Sequence, residues 1–305
     1  MRTFALNRRA ALKGLLAALS GPLGAKGAGA QDSPRDQGIG GTGAFGEIVK
    51  FGSVIVDGIE FAYSSDTPIV DDLGGAGADK LRIGQVVRAT SEQVGTRIRA
   101  DAISVEHEVV GPIEAIDAGA GILTILGQRV DLRPPEDVEQ PNVGDFIAIS
   151  GFRDGAGTIL SDHFEPAPSG LVQVIGEARD LPDFARAALD GSKLKDRVIV
   201  RGRWDGTAAT VETILPWSFF PQGRRPNRIA LEGVFAAHVG ERFRLGALRA
   251  KGSTLEVLTA VLEPSGDYRV QTVEVIARRP RAGAAAEKRR RDRDDDHSND
   301  GGKRR

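Results

Sequence analysis

Gly84-Gln-Val-Val-Arg-Ala89, Gly144-Asp-Phe-Ile-Ala-Ile-Ser-Gly151 and Asp196-Arg-Val-Ile-Val-Arg-Gly202 are three versions of one pattern. Each alternates apolar and polar positions, is rich in β-branched residues and is bounded by Gly, as a half-buried strand requires. A second such run follows each copy: Ile98-Arg-Ala-Asp-Ala-Ile-Ser-Val105, Thr158-Ile-Leu-Ser-Asp-His-Phe164 and Ala209-Thr-Val-Glu-Thr-Ile-Leu215. The copies recur after about sixty and about fifty residues, the period of a small barrel unit or a repeat array. The pattern sets an architecture and leaves the chemistry open.

Working outward, the first unit covers 45–110. Ile48, Val54 and Val56 lead into Asp57-Gly58, and Ile59-Glu-Phe61-Ala-Tyr63 alternates after it. Asp-Gly between alternating runs is a strong hairpin signal. The second unit covers 111–170 and ends in a Pro/Ser/Gly linker from Pro166 to Gly170. The third covers 171–221 and holds the best short helix, near Asp180 to Gly191, with an acidic cap, an early Pro and a terminal Gly. A fourth, less faithful unit covers 222–277. One helix among short strands suggests the OB-type barrel. The fold class expected is therefore all-β: tandem small OB-like barrel units, one helix in the third, and disordered termini.

Composition agrees. Aromatic residues make up 5% of the 305, with 39 Gly and 15 Pro, which favours thin β units with many turns. There is no Cys, so disulfides, thiolate metal sites and Cys nucleophiles are excluded. The net charge of −1 conceals strong segregation. Residues 1–30 carry five basic side chains and no acid; 31–170 have a net charge of −13, 171–277 of +2 and 278–305 of +5. Such a bipolar chain can attract its own tail, a second copy or a charged surface.

Residues 1–30 read as an address. Asn7-Arg-Arg-Ala-Ala-Leu-Lys13 precedes a weakly apolar run too short and Gly-rich to span a bilayer, and Ala28-Gly29-Ala30 offers small residues for cleavage. The segment looks like a twin-arginine export signal. The expected mature protein starts near Gln31 and is periplasmic or secreted. Residues 31–44 are expected to be a flexible lead-in, and 278–305 a disordered charged tail able to contact acidic surfaces.

The stretch Gly41-Thr-Gly-Ala-Phe-Gly-Glu-Ile-Val-Lys-Phe-Gly-Ser-Val-Ile-Val-Asp-Gly-Ile-Glu-Phe61 resembles the opening of the bacterial "domain of unknown function 5666" family. The resemblance is good over 41–165 and loose over 171–277. It implies exported, tandem small β-barrels, and no catalytic residue.

Signals of catalysis are lacking. His107, His163, His238 and His297 fall in different segments. Strand alternation keeps Glu106, His107 and Glu108 from converging, and a surface histidine is the expectation. There is no Gly-x-Ser-x-Gly elbow or P-loop. Asp66, Asp71, Asp72 and Asp79 form a weak calcium candidate against a solvated acidic loop, with spacing unlike a known calcium loop. No cofactor is expected. Trp217, Phe219 and Phe220 stand beside Arg224 and Arg225, a combination suited to anchoring a partner or glycan. The competing reading has the rings filling the joint between units three and four. Export disfavours nucleic acid. The function expected is a non-enzymatic binding or assembly module of the cell envelope, with no transmembrane span. The rivals are a hydrolytic or accessory enzyme with a carboxylate pair assembled between units, and a structural spacer.

Overall fold

A computed structural model describes residues 41–50, 53–135, 138–189, 196–220 and 224–278. The export signal, the lead-in up to residue 40 and the tail from 279 onward lie outside the described residues.

The first unit consists of β1 (Thr42–Glu47), β2 (Val54–Val56), β3 (Ile59–Ala62), β4 (Ile69–Asp71), β5 (Val86–Ser91), β6 (Arg97–Arg99) and β7 (Ala102–Glu106). The Asp57-Gly58 hairpin forms as read, with φ of 50° and 73° and Val56 opposite Ile59. β1 pairs antiparallel with β5, and β5 with β7; β7 runs parallel to β4, and β6 parallel to β3. A Lys50–Ile55 bridge returns the circuit towards β1.

The second unit has the same connectivity with unbroken strands. β8 (Val109–Asp117), β9 (Ile122–Ile125), β10 (Gln128–Leu132), β11 (Phe146–Arg153) and β12 (Ile159–Pro166) pair in the order β8-β9-β10-β12-β11. Antiparallel pairing of β11 with β8 closes the ring, and β10 with β12 is its parallel contact. This is a closed five-stranded barrel with OB-type strand order. Equivalent hydrogen bonds occur in both units. Gly84 donates to Ile48 and Ile48 to Gln85; Gly144 donates to Ile113 and Ile113 to Asp145. Both glycines have φ near +90°, which a side chain would resist.

The third stretch adds β13 (Leu171–Gly176), α1 (Asp183–Leu189), β14 (Val198–Trp204) and β15 (Ala209–Pro216). β13 pairs with β8, so these strands extend the barrel sheet. Leu181, Ala185 and Leu189 of the helical segment enter the same core as Ile113, Ile125 and Ile149. The fourth stretch comprises β16 (Arg228–Gly233), β17 (Arg242–Phe243), β18 (Glu256–Leu262) and β19 (Tyr268–Val275).

Sheet partnership does not follow chain order. β1 lies between β5 and β16, its parallel partner, so the first and fourth stretches share one eight-stranded sheet. The second and third share the other. Residues 42–44, expected to be lead-in, are instead a buried strand. Their small side chains serve close packing: a Cβ on Gly43 would sit 2.5 Å from the Phe220 ring. Arg278, assigned to the tail, is likewise fixed, donating to Asp131 and Asp162 on the barrel.

Two glycines of the repeated motif mark β-bulges. The register shifts at Ser150/Phe152 and again at Arg201/Gly202. A Cβ on Gly151 would lie 2.4 Å from the Leu160 carbonyl oxygen, and one on Gly202 1.9 Å from that of Thr210. The bulge needs a residue without a side chain.

Candidate functional site

Glu106, His107 and Glu108 carry the chain from β7 into β8, and they do face different ways. His107 is fully buried rather than on the surface. Its Nδ1 lies 2.5 Å from Asp72 Oδ1 and its Nε2 2.7 Å from Glu165 Oε1. Gln173 donates to the second Asp72 oxygen at 2.6 Å, and Gln85 to Glu165 at 2.8 Å. Two carboxylates thus meet on one imidazole, each held by a glutamine, and the four side chains come from three stretches. Burial alone would lower the His107 pKa, but the Asp72 charge and the hydrogen bonds to both carboxylates push it up to about 10. Burial would raise Asp72 and Glu165; the imidazolium beside them brings both below their usual range.

Of the calcium candidates, Asp71 and Asp72 approach His107, with possible ligand atoms within 4.8 Å of one another. Asp66 and Asp79 remain exposed and outside that group. While protonated, the imidazole donates from both nitrogens, to Asp72 and to Glu165. This cluster is built to bond three stretches together.

On the other side of the same segment, Glu106 accepts from Trp217 Nε1, at 2.9 Å to each oxygen, and pairs with Arg88. Arg197 lies 4.2 Å from the indole centroid and Arg88 5.4 Å. Arg197 also pairs with Glu108, whose other oxygen accepts from Arg153 at 2.9 Å. Burial, with Arg197 nearby, brings Arg88 down to about 10. Trp217 is therefore half-buried and clamped by cations.

Beside this indole opens a cavity of about 330 Å³. Trp217, Phe219, Phe220, Arg224 and Arg225 all line it. Phe219 and Phe220 are only 4% and 2% exposed, so they also fill the joint, packing with Ile229, Leu231 and Tyr268. The joint-filling reading holds for both rings, and the same residues also line the cavity. Phe219 meets Phe45 at 5.3 Å and Trp217 at 4.6 Å, both edge-on. Arg224 approaches Asp101 at 3.5 Å, while Arg225 is exposed and donates to the Gly266 carbonyl.

Sequence reading missed most of the other walls. Arg179, Arg197, Arg244 and Arg249 come from the third and fourth stretches. They are scattered in sequence, and no local signal joins them. Glu232 of β16 also lines the cavity; it is 3% exposed, and burial raises its pKa to about 7. Volume, aromatic floor and charged rim suit capture of a small molecule or a partner's side chain. Among the described residues, no helix is long and apolar enough to cross a membrane.

No protein-family model, curated protein or solved structure matches the chain.

Proposed function

We propose that this chain is an exported, non-enzymatic binding module of the bacterial cell envelope that captures its ligand in the cavity beside Trp217. The observation that carries the reading is convergence. Five residues singled out for binding chemistry, contiguous in one connector, line a single cavity with arginines drawn from other strands. The twin-arginine-like segment and the Gly41–Phe61 resemblance to the "domain of unknown function 5666" family support the compartment. An envelope protein or a glycan is the proposed partner class.

The test compares mature wild-type protein and Trp217→Ala, purified from periplasm and examined by native mass spectrometry and by capture from envelope extract. Wild type should retain a bound species that the variant loses, with both giving the same circular dichroism spectrum. Equal retention by two folded proteins would remove the site. Intact mass of the same material should place the start near Gln31; an uncleaved Met1 would remove the export reading.

One observation favours the rival enzyme reading. Glu232 combines burial in a cavity wall with a pKa near neutrality, as a general acid requires, and Glu177 and Asp180 line the same space. Turnover of chromogenic glycosides or esters that Glu232→Gln abolishes would establish that reading in place of binding.

A further inference from the structure

Resting on the binding reading, we infer that the cavity selects a small aromatic carboxylate, with its rings on the Phe floor and its anionic head at the arginine rim. Three features of the wall lead there. First, among the described residues its cations are all arginine, with no lysine in the lining. A guanidinium presents a planar fork that matches a carboxylate and stacks on rings; an ammonium does neither as well.

Second, positive charge at the rim exceeds its compensation. Arg249 is held by Glu177 at 3.0 Å and Asp196 at 2.8 Å, and Arg179 by Glu177 and Asp180. Arg244 has Asp267 at 3.4 Å. Arg225 has no carboxylate partner among the described residues and spends one nitrogen on the Gly266 carbonyl. Gly266 and Asp267 are adjacent, so Arg225 and Arg244 are tethered to one turn and can close on a shared anion. Glu177 is divided between two guanidiniums, and burial keeps Glu232 substantially protonated near neutral pH, which reduces the opposing charge.

Third, the floor is aromatic and the space is sized for rings. Phe45, Phe219 and Phe235 meet edge-on, at 5.3 Å and 6.3 Å between centroids. A cavity of about 150 Å³ accommodates benzene. The 330 Å³ here admits a molecule of two fused rings with a head group. An aliphatic anion would leave the ring faces unused, and a neutral arene would leave Arg225 unanswered.

Calorimetric titration with three probes tests this: 2-naphthoate, neutral 2-naphthalenemethanol, and acetate. The naphthoate should bind at least about tenfold more tightly than either other probe, the margin of one charge-assisted contact. Arg225→Ala and Arg244→Ala, both exposed changes, should each weaken naphthoate about tenfold and leave naphthalenemethanol unaffected. Rising salt should weaken naphthoate and leave naphthalenemethanol unchanged. Equal binding of the neutral arene, or undiminished naphthoate binding by the double arginine variant, overturns the inference. If naphthoate fails while wild type still carries a native species that Trp217→Ala loses, the ligand class is wrong and the site stands. If the native species is also absent, both fall.

Discussion

Replacing His107 with Gln should remove a pH dependence that the wild-type protein shows between pH 6.5 and 10. In the folded chain the imidazolium is held between Asp72 and Glu165 with its pKa at about 10 instead of 6.5. A folded pKa above the unfolded one means the native state binds the extra proton, so the stabilisation is complete below pH 6.5. It is lost as pH rises towards 10. The difference of 6.5 from about 10 sets an upper limit of ~5 kcal/mol for this contribution. The partners act at the other end: Asp72 and Glu165 have lowered pKa values, so their contribution is present above their ordinary range and lost as pH falls through the lowered values. Stability from this cluster should therefore be greatest at about pH 4.5 to 6.5.

His107→Gln leaves two half-buried carboxylates facing one neutral amide, and at pH 6 it should cost about 3 kcal/mol. The gap should shrink steadily by pH 9.5. Urea unfolding at several pH values, followed by tryptophan fluorescence and far-UV circular dichroism together, measures it, with coincident transitions checking that one cooperative unit unfolds. Parallel pH profiles for the two proteins would refute the argument. Should the variant fail to fold, the wild-type imidazole is still decisive: its His107 ring proton resonances should not titrate below about pH 9, and a midpoint near 6.5 would end the imidazolium account.

Other perturbations follow from the same structure. Glu232 is the reverse of a paired carboxylate: burial raises its pKa to about 7, so the folded state favours the proton and loses stability as pH rises from about 4.5 through 7. Glu232→Gln keeps an acceptor for the Glu47 amide, and should flatten that window and raise stability at pH 8 by up to ~3 kcal/mol, read from urea unfolding. Gly151→Ala and Gly202→Ala each drive a methyl into a carbonyl oxygen at a bulge, and should each lower stability by about 2–4 kcal/mol, read from thermal melting. Trp217→Phe removes one donor from the buried Glu106 carboxylate and should cost about 1–3 kcal/mol in denaturant unfolding. An unchanged midpoint would show that Arg88 alone satisfies Glu106.

Sequence reading found what is written locally. Strand alternation, the Asp57-Gly58 turn and the helix Asp183–Leu189 all depend on neighbours within a few residues, and all were legible. Trp217, Phe219, Phe220, Arg224 and Arg225 were singled out for the same reason, standing close together in sequence. Small residues misled. Gly41 to Ala44 have the composition of a flexible segment, but Gly43 makes room for Phe220, about 180 positions later. His107 was misread because its charge partners are 35 and 58 residues away, and nothing adjacent to it announces them. The arginine rim was invisible on the same ground. Glu106 and Glu108 were read only as strand neighbours of His107, whereas each is paired with an arginine from a distant strand.

The place of β1 between β5 and β16 has a consequence for biosynthesis. Until Arg228–Gly233 leaves the ribosome, Thr42–Glu47 has a bare hydrogen-bonding flank, the kind that recruits another nascent chain. Nearly two hundred residues must be made before that flank is covered. A translation product that stops after the third stretch would keep a closed barrel and an adhesive margin, so premature termination should yield aggregates rather than a smaller soluble protein.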